Sequence, residues 1–251
     1  MTLYMIGIGL WDEKDISLKG LEAVKKCDKV FLESYTSKLG VPIEDLEKLY
    51  GKEIILADRD LVEKRAQEII EPAKQGAVAF LVIGDVFGAT THTDIFLRAK
   101  EAGTKVVVIN NASILNAIGI VGLELYKFGK TTSIPFHSEN VETPYNVLKE
   151  NQESGMHTLL LLDIHADDSK YMSIKEALEY LLKIEAKRKE GVFTKDTSCV
   201  GVARLGSLSP GIIAGKASDL LKADFGGPLH SLIVPGKLHF VEEDALKAWK
   251  A

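Results

Sequence analysis

Short apolar, β-branched runs alternate along the chain with segments whose apolar positions recur at helical spacing. The run LYMIGIG at 3–9 reads as a strand and SLKGLEAVKKC at 17–27 as an amphipathic helix. KVFLE at 29–33 is a second strand, followed by a short helical pattern around Ile43 to Leu49 and the strand EIILA at 53–57. A helix from about Leu61 to Lys74, the strand AVAFLVI at 77–83, a helix from about Thr93 to Ala102 and the strand KVVVIN at 105–110 complete the first half. Strands separated by helical segments in this way predict a parallel sheet covered on both faces, and hence an α/β fold.

The second half opens on SILNAIGIVGLELYKFG at 113–129, which reads as a helix with internal glycines; these weaken a helix and permit close packing. TTSIPF at 131–136 is a strand closed by Pro135, and TPYNVLKENQESG at 143–155 a helix with Thr143 as N-cap and Pro144 at its first position. HTLLLLDI at 157–164 is a buried strand. Residues 173–190 form an amphipathic helix that Ser173 and Glu176 open as a capping box. SCVGVARLG at 198–206 and HSLIVPG at 230–236 are strands with a helical pattern from Ala217 to Asp224 between them, and Gly211 to Gly215 adds a short strand. The pattern changes near Asn110 to Ser113 without a repeat or a low-complexity linker. That change divides the chain into an N-terminal α/β domain with a parallel sheet over 1–111 and a C-terminal α/β domain with a mixed sheet over 112–251.

Chemistry in open α/β proteins gathers at strand ends. The segment LVIGDVFGATTH at 81–92 is an apolar run that stops at Gly84 and Asp85, followed by residues small enough to let a ligand approach the backbone. Gly7 to Leu10, Gly84 to Gly88, Asn111 to Ile114, Leu162 to Ile164, Ala203 to Ser207 and His230 are the strand ends that could converge on one cleft. Backbone amides, small residues and a single carboxylate suit an adenosyl-type ligand, whose ring needs apolar walls and whose ribose needs an acceptor. A helix starting at Ser113 directly after a strand would aim free N–H groups at such a ligand.

Composition narrows the classes. The chain has 251 residues, 46% hydrophobic and 27% charged, the proportions of a folded globular protein. A net charge of -5 provides no global positive field, so nucleic acid is not expected as a partner. No apolar stretch approaches the roughly 20 residues of a membrane span, and Trp11 to Lys14 break the apolar start before a signal peptide could form. Cys27 and Cys199 are widely separated and lack a CxxC partner, which fits the cytoplasm. GIGLWD at 7–12 puts Asp12 where a dinucleotide fingerprint needs a small residue, and no GxxxxGK[ST] is present, so NAD and phosphate-cradle sites are disfavoured. No HExxH, Cys/His cluster or GxSxG appears, so no metal is expected, and His92, His157, His165 and His239 read as structural or surface residues.

Four segments together carry a resemblance: LYMIGIGLWDEKDISLKGLEAVKKCD at the start, GDVFGATTHTD, NNASILNAIGIVGLELYKFGK, and DFGGPLHSLIVPGKLHFVE near the end. Over nearly the whole chain they resemble the diphthine synthases, within the tetrapyrrole methylase group of S-adenosylmethionine-dependent methyltransferases. The resemblance implies two α/β domains with S-adenosyl-L-methionine in the cleft between them. It further implies N-methylation of an aminocarboxypropyl-modified histidine in translation elongation factor 2, giving diphthine, and a homodimer. Motif by motif, Leu10, Asp85, Gly88, Ser113, Ile114, Leu162, Leu205 and His230 resemble cofactor contacts. Val86 stands where the wider group has proline, which removes a fixed φ from the turn. From its place at a strand terminus, Asp85 is assigned electrostatic assistance near the methionine end of the cofactor, and Arg204, Lys216 and Lys237 are candidate cations for engaging the acceptor protein. Two other readings stay open: a methylase acting on a small tetrapyrrole, and a noncatalytic domain that binds a nucleotide or protein.

Overall fold

A computed structural model of the chain describes residues 1–137 and 139–250, which fall into two compact units, Met1–Ala117 and Ile118–Ala251. In the first, β1 (Thr2–Gly7), β2 (Lys29–Glu33), β3 (Ile55–Ala57), β4 (Ala77–Val82) and β5 (Lys105–Ile109) form a sheet in the order β3-β2-β4-β1-β5. Every pairing in it is parallel. Alternation along the central strands sends Leu3, Met5, Val78 and Phe80 into one apolar cluster and Ile6, Ala79 and Leu81 into another, one for each face. A sheet covered on both sides demands apolar residues at consecutive positions, which is why β4 reads as an unbroken run.

The covering helices are α1 (Leu18–Lys26), α2 (Ile43–Tyr50), α3 (Arg59–Glu63), α4 (Gln67–Gln75) and α5 (Thr93–Glu101), with a single turn α6 (Ile114–Ala117) after β5. The helix expected over 61–74 is two. Asp58 caps α3 by accepting from the Leu61 amide at 2.7 Å, and α4 restarts on the Ala66 carbonyl, so that Leu61 and Val62, then Ile69, Ile70 and Ala73, all enter the same cluster.

In the second unit β6 (Thr132–Ile134), β7 (Thr158–Leu162), β10 (Ser198–Ala203), β11 (Gly211–Lys216) and β12 (His230–Val234) form a sheet in the order β11-β10-β12-β7-β6, while β8 (Ile164–His165) and β9 (Lys170–Tyr171) make a separate hairpin. Only β6 and β7 pair parallel in the larger sheet. α7 (Thr143–Glu153), α8 (Ile174–Arg188), α9 (Ala217–Leu220) and α10 (Phe240–Lys247) complete the unit. The capping box of α8 forms as its spacing predicts: the Glu176 amide donates to Ser173 Oγ at 3.2 Å and the Ser173 amide to Glu176 Oε2 at 2.7 Å.

Three expectations are corrected here. The helix read over 113–129 breaks into α6 and two 3-10 turns, Ile118–Val121 and Leu125–Lys127. Gly122 turns the chain at φ +86°, where a Cβ would also lie 2.3 Å from the Cβ of Ala245, so this glycine serves a close approach to α10. Glu142, not Thr143, is the N-cap of α7. The helical pattern at 217–224 yields only the four residues of α9.

Helix α10 is held by Glu242, 1% exposed, which bonds His157 Nε2 at 2.8 Å, accepts from the Glu124 and His239 amides at 3.0 and 2.8 Å, and pairs with the Lys127 ammonium. His157 accepts the Gly236 amide on Nδ1. Burial works against the charge on Glu242, but Lys127, those amides and the His157 ring outweigh it and hold the carboxyl down at about 2. Cys27 and Cys199 are both free and buried, one in each unit. Burial pushes the Cys27 thiol up to about 11 and Cys199 further still. Among the described residues, no helix is long and apolar enough to cross a membrane.

Candidate functional site

At the carboxyl edge of the first sheet, β1, β4 and β5 end side by side, with Gly7 opposite Val82 and Ile6 opposite Ile109. The segments that continue them are stitched together. Gly9 and Gly84 form an antiparallel bridge, with both backbones in the left-handed region at φ +82° and +87°. A Cβ on Gly7 would stand 2.6 Å from the Gly84 carbonyl oxygen, so this crossing requires glycine. Asn111 Nδ2 donates to the carbonyls of Gly7 and Asp15 at 3.0 Å each, and Asp15 Oδ2 accepts the Leu10 and Trp11 amides at 3.1 and 2.7 Å.

Asp85 stands at the centre. Its Oδ2 accepts the Asn111 amide and Asn110 Nδ2, both at 3.0 Å, and its Oδ1 accepts the Phe87 amide at 3.0 Å. Partial burial pushes the carboxyl up, but these donors prevail and hold it below the ordinary aspartate value, so it is ionised at neutral pH. Gly88 folds back on Ser113 so closely that a Cβ would lie 2.7 Å from Ser113 Cβ. Val86, in place of the group's proline, is fully buried in the core, and Thr90 Oγ1 donates to its carbonyl at 2.8 Å. The loop is thus fixed by packing and a side-chain bond.

Leu10, Asp85, Gly88, Ser113 and Ile114 therefore share one sheet edge. At the helix start expected to offer free amides, the Ser113 amide donates to Asn116 Oδ1, Leu115 to Ser113 Oγ, and Asn116 and Ala117 to the Ser113 carbonyl, so the turn takes up most of its own donors. His92 packs edge-on against Phe80, centroids 5.3 Å apart, and burial holds its imidazole down at about 4. It is a neutral core residue.

The second unit presents a comparable edge, where Ala203 faces His230, Ser231 faces Leu161, and Ile134 faces Leu162. Leu162 and His230 end neighbouring strands at this edge, and Leu205 lies two residues past the end of β10. The His230 ring is committed on both nitrogens: Nδ1 accepts the Ile174 amide at 3.4 Å, and Nε2 donates to the Gly227 carbonyl at 3.0 Å, with Gly226 O at 3.2 Å. Burial lowers its affinity for a second proton, and Arg204 acts the same way against the two carbonyls. Arg204, at φ +53°, donates to the carbonyls of Phe225 and Gly227 at 2.5 and 2.8 Å and so braces the loop before His230. Lys216 sits at the opposite end of the sheet, paired across from Ser198 and bonded to Asp196 at 2.8 Å; Lys237 follows β12 at that same far end. Of the three cations read as contacts for an acceptor, one is a loop brace and two lie at the edge opposite His230.

Beside Leu162 lies a cluster that sequence reasoning did not assemble. Asp163 accepts the Phe136 and Ile164 amides at 2.9 Å each. His165 Nε2 lies 3.6 Å from Asp163 Oδ2, its ring edge-on to Phe136 at 5.1 Å and 5.8 Å from the His137 ring. Lys170 Nζ sits 4.0 Å over the Phe136 ring. The hint in the sequence was one phenylalanine and two histidines just past strand ends, in PFH and DIH. Among the described residues, no group of three or more His, Cys, Asp or Glu is placed to hold a metal ion.

Comparison with known proteins gives one consistent result. The family model of the Tetrapyrrole (Corrin/Porphyrin) Methylases matches residues 2–220. The chain is 52% identical over 248 residues to the diphthine synthase of Methanococcus aeolicus, covering 98% of this chain and 96% of that one. It is 46% identical to the diphthine methyl ester synthase of Dictyostelium discoideum, covering 100% and 98%. A crystal structure of a diphthine synthase superposes with a TM-score of 0.92 at 41% identity, covering 100% of this chain and 96% of that one.

Proposed function

Because the chain belongs to the tetrapyrrole methylase family, we propose that it is an S-adenosylmethionine-dependent N-methyltransferase acting on the amino group of the aminocarboxypropyl-modified histidine of translation elongation factor 2, giving diphthine in diphthamide biosynthesis. The observation that carries this reading is similarity running from end to end of proteins that bear the diphthine synthase name. A tetrapyrrole-methylating member of the family would be expected to match over its methylase fold without that continuity.

The residues fit the cofactor. Gly88 leaves its main chain partly exposed at the first edge, and Asp85 keeps an ionised carboxylate there that suits ribose hydroxyls or a positive sulfonium. Leu10, Asp85, Gly88, Ser113 and Ile114 in the first unit, and Leu162, Leu205 and His230 in the second, are the proposed contacts. Bound to them, S-adenosyl-L-methionine supplies an electrophilic methyl group on sulfur, so the protein needs no nucleophile of its own. What the chain contributes is alignment: the glycine crossing fixes the main chain, the Asp85 charge favours a cationic donor, and His230, with both nitrogens engaged, presents its ring as a wall. The same reading carries a cytoplasmic location, which two reduced, buried thiols suit.

It also carries a homodimer through the second unit, where Ile120, Tyr126, Phe240 and Val241 are exposed; light scattering at the mass of one chain would overturn it. The function is tested by incubating the protein with labelled S-adenosylmethionine and elongation factor 2 bearing the aminocarboxypropyl intermediate. Label on that histidine, with mass increments that count the methyls, is the expected result. Methylation of a precorrin instead, or no heat of binding with S-adenosylmethionine or S-adenosylhomocysteine, overturns the reading.

A further inference from the structure

The turn after β6 and the hairpin β8–β9 gather an imidazole, a carboxylate, an aromatic face and an ammonium that the cofactor contacts leave unexplained. We propose that Phe136, Asp163, His165 and Lys170 form the receiving site for the acceptor's amino-acid head group, with His165 taking the proton that the acceptor nitrogen must shed. The inference rests on the acceptor named above.

Position comes first. Asp163 directly follows Leu162 in the chain, and β7 is the neighbour of β12, so the cluster lies along the same sheet edge as His230. Adjacent strands are about 4.8 Å apart, which places the cluster within reach of a methyl donor gripped at that edge. Chemistry comes next. An amine attacks only when unprotonated, so a base within reach of it is needed before each further transfer. Two backbone amides fix Asp163, and its Oδ2 lies 3.6 Å from His165 Nε2. That is longer than a hydrogen bond, and a small ring rotation closes it, turning Nε2–H to the carboxylate and leaving the Nδ1 lone pair for the acceptor. The charged and titratable groups beside His165 are Asp163 from the end of β7, His137 from the turn and Lys170, its cross-strand partner on β9.

Phe136 supplies what a carboxylate cannot. Its ring attracts cations, the Lys170 ammonium lying 4.0 Å from its centroid, and a head-group carboxylate that draws this ammonium away leaves the ring to the acceptor's own cation. An aromatic face attracts a methylated ammonium as readily as a protonated one, because the attraction needs no N–H donor. Lys170, exposed on the hairpin, is the partner for the head group's carboxylate. In each step the acceptor nitrogen forms a bond to the methyl carbon while the carbon–sulfur bond breaks and its electron pair stays on sulfur. Before each transfer the ammonium's proton passes to His165 Nδ1 and from there to water, which frees the lone pair that attacks; once three methyls are on, no N–H remains and the charge stays on nitrogen.

Three substitutions test this, with calorimetric binding of S-adenosylhomocysteine as the check that each variant is folded. His165→Ala should lower kcat roughly 100-fold with KM close to wild type, release singly and doubly methylated acceptor, and recover with added imidazole, a rescue that loss of a merely structural ring would not show. Lys170→Met should raise KM several-fold and leave kcat. As a readout without turnover, trimethylglycine titrated into the protein should shift the His165 ring resonances in wild type and not in Phe136→Leu. An unchanged kcat and methyl distribution in His165→Ala, or no shift with trimethylglycine in wild type, overturns the site. A wild-type protein that binds cofactor yet never labels elongation factor 2 overturns the acceptor reading, and this site with it; a competent wild type with indifferent variants overturns the site alone.

Discussion

Asp85 binds three donors from three different residues while remaining charged at the mouth of β4. Asp85→Ala strands the Asn111 amide and the Asn110 side chain, at a cost of about 1–3 kcal/mol in urea denaturation, and should weaken cofactor binding roughly tenfold or more by calorimetry. Unchanged affinity would restrict the residue to holding the edge together. His92 supplies a pH signature. Its folded value, about 4, lies below the 6.5 of an exposed imidazole, so the unfolded chain binds the extra proton first and stability falls as pH drops from 6.5 towards 4. His92→Phe should flatten that decline by up to about 3 kcal/mol. That Asp85, Gly88 and Ser113 share one sheet edge was legible in the sequence, because small residues and one carboxylate directly follow apolar strand runs. The Asn111–Asp15 contact was not, since it joins positions 96 apart and nothing local encodes the pairing.

Elements were legible where local chemistry decides them, as with the Ser173–Glu176 box and the buried run of β4. They were misread where tertiary contact decides. The segment 113–129 has helical periodicity, but Gly122 serves an approach to α10, and the broken turns follow from that contact. Helix α10 itself went unread because its anchor, Glu242, draws partners from Glu124, Lys127 and His157, far away in sequence. With the folded carboxyl at about 2 against an ordinary 4.5, this anchor stabilises the fold above pH 4.5, and its contribution, on the order of 3 kcal/mol, is lost as pH falls towards 2. Glu242→Gln should forfeit a similar amount at neutral pH in thermal denaturation and leave little of that acid dependence. Gly122→Ala should be destabilising by more than the usual glycine-to-alanine change, because both its φ and its contact with Ala245 oppose a methyl group.

At the scale of the molecule, alternating strand and helix patterns were enough to predict an α/β chain, and the sheet order of each unit was beyond them, since β10, β12 and β7 pair across long stretches of sequence. Cofactor binding should raise the melting temperature by linkage, by an amount worth about 2.7 kcal/mol at a hundred times the dissociation constant; a flat thermal-shift profile would contradict the proposed site.

One sulfhydryl lies sealed inside each unit, and neither is ready to ionise while its surroundings are intact. The molecule thereby carries its own pair of unfolding reporters. Brief exposure to an alkylating reagent along a denaturant series, followed by peptide mapping, would date the opening of each half separately, with no engineered label.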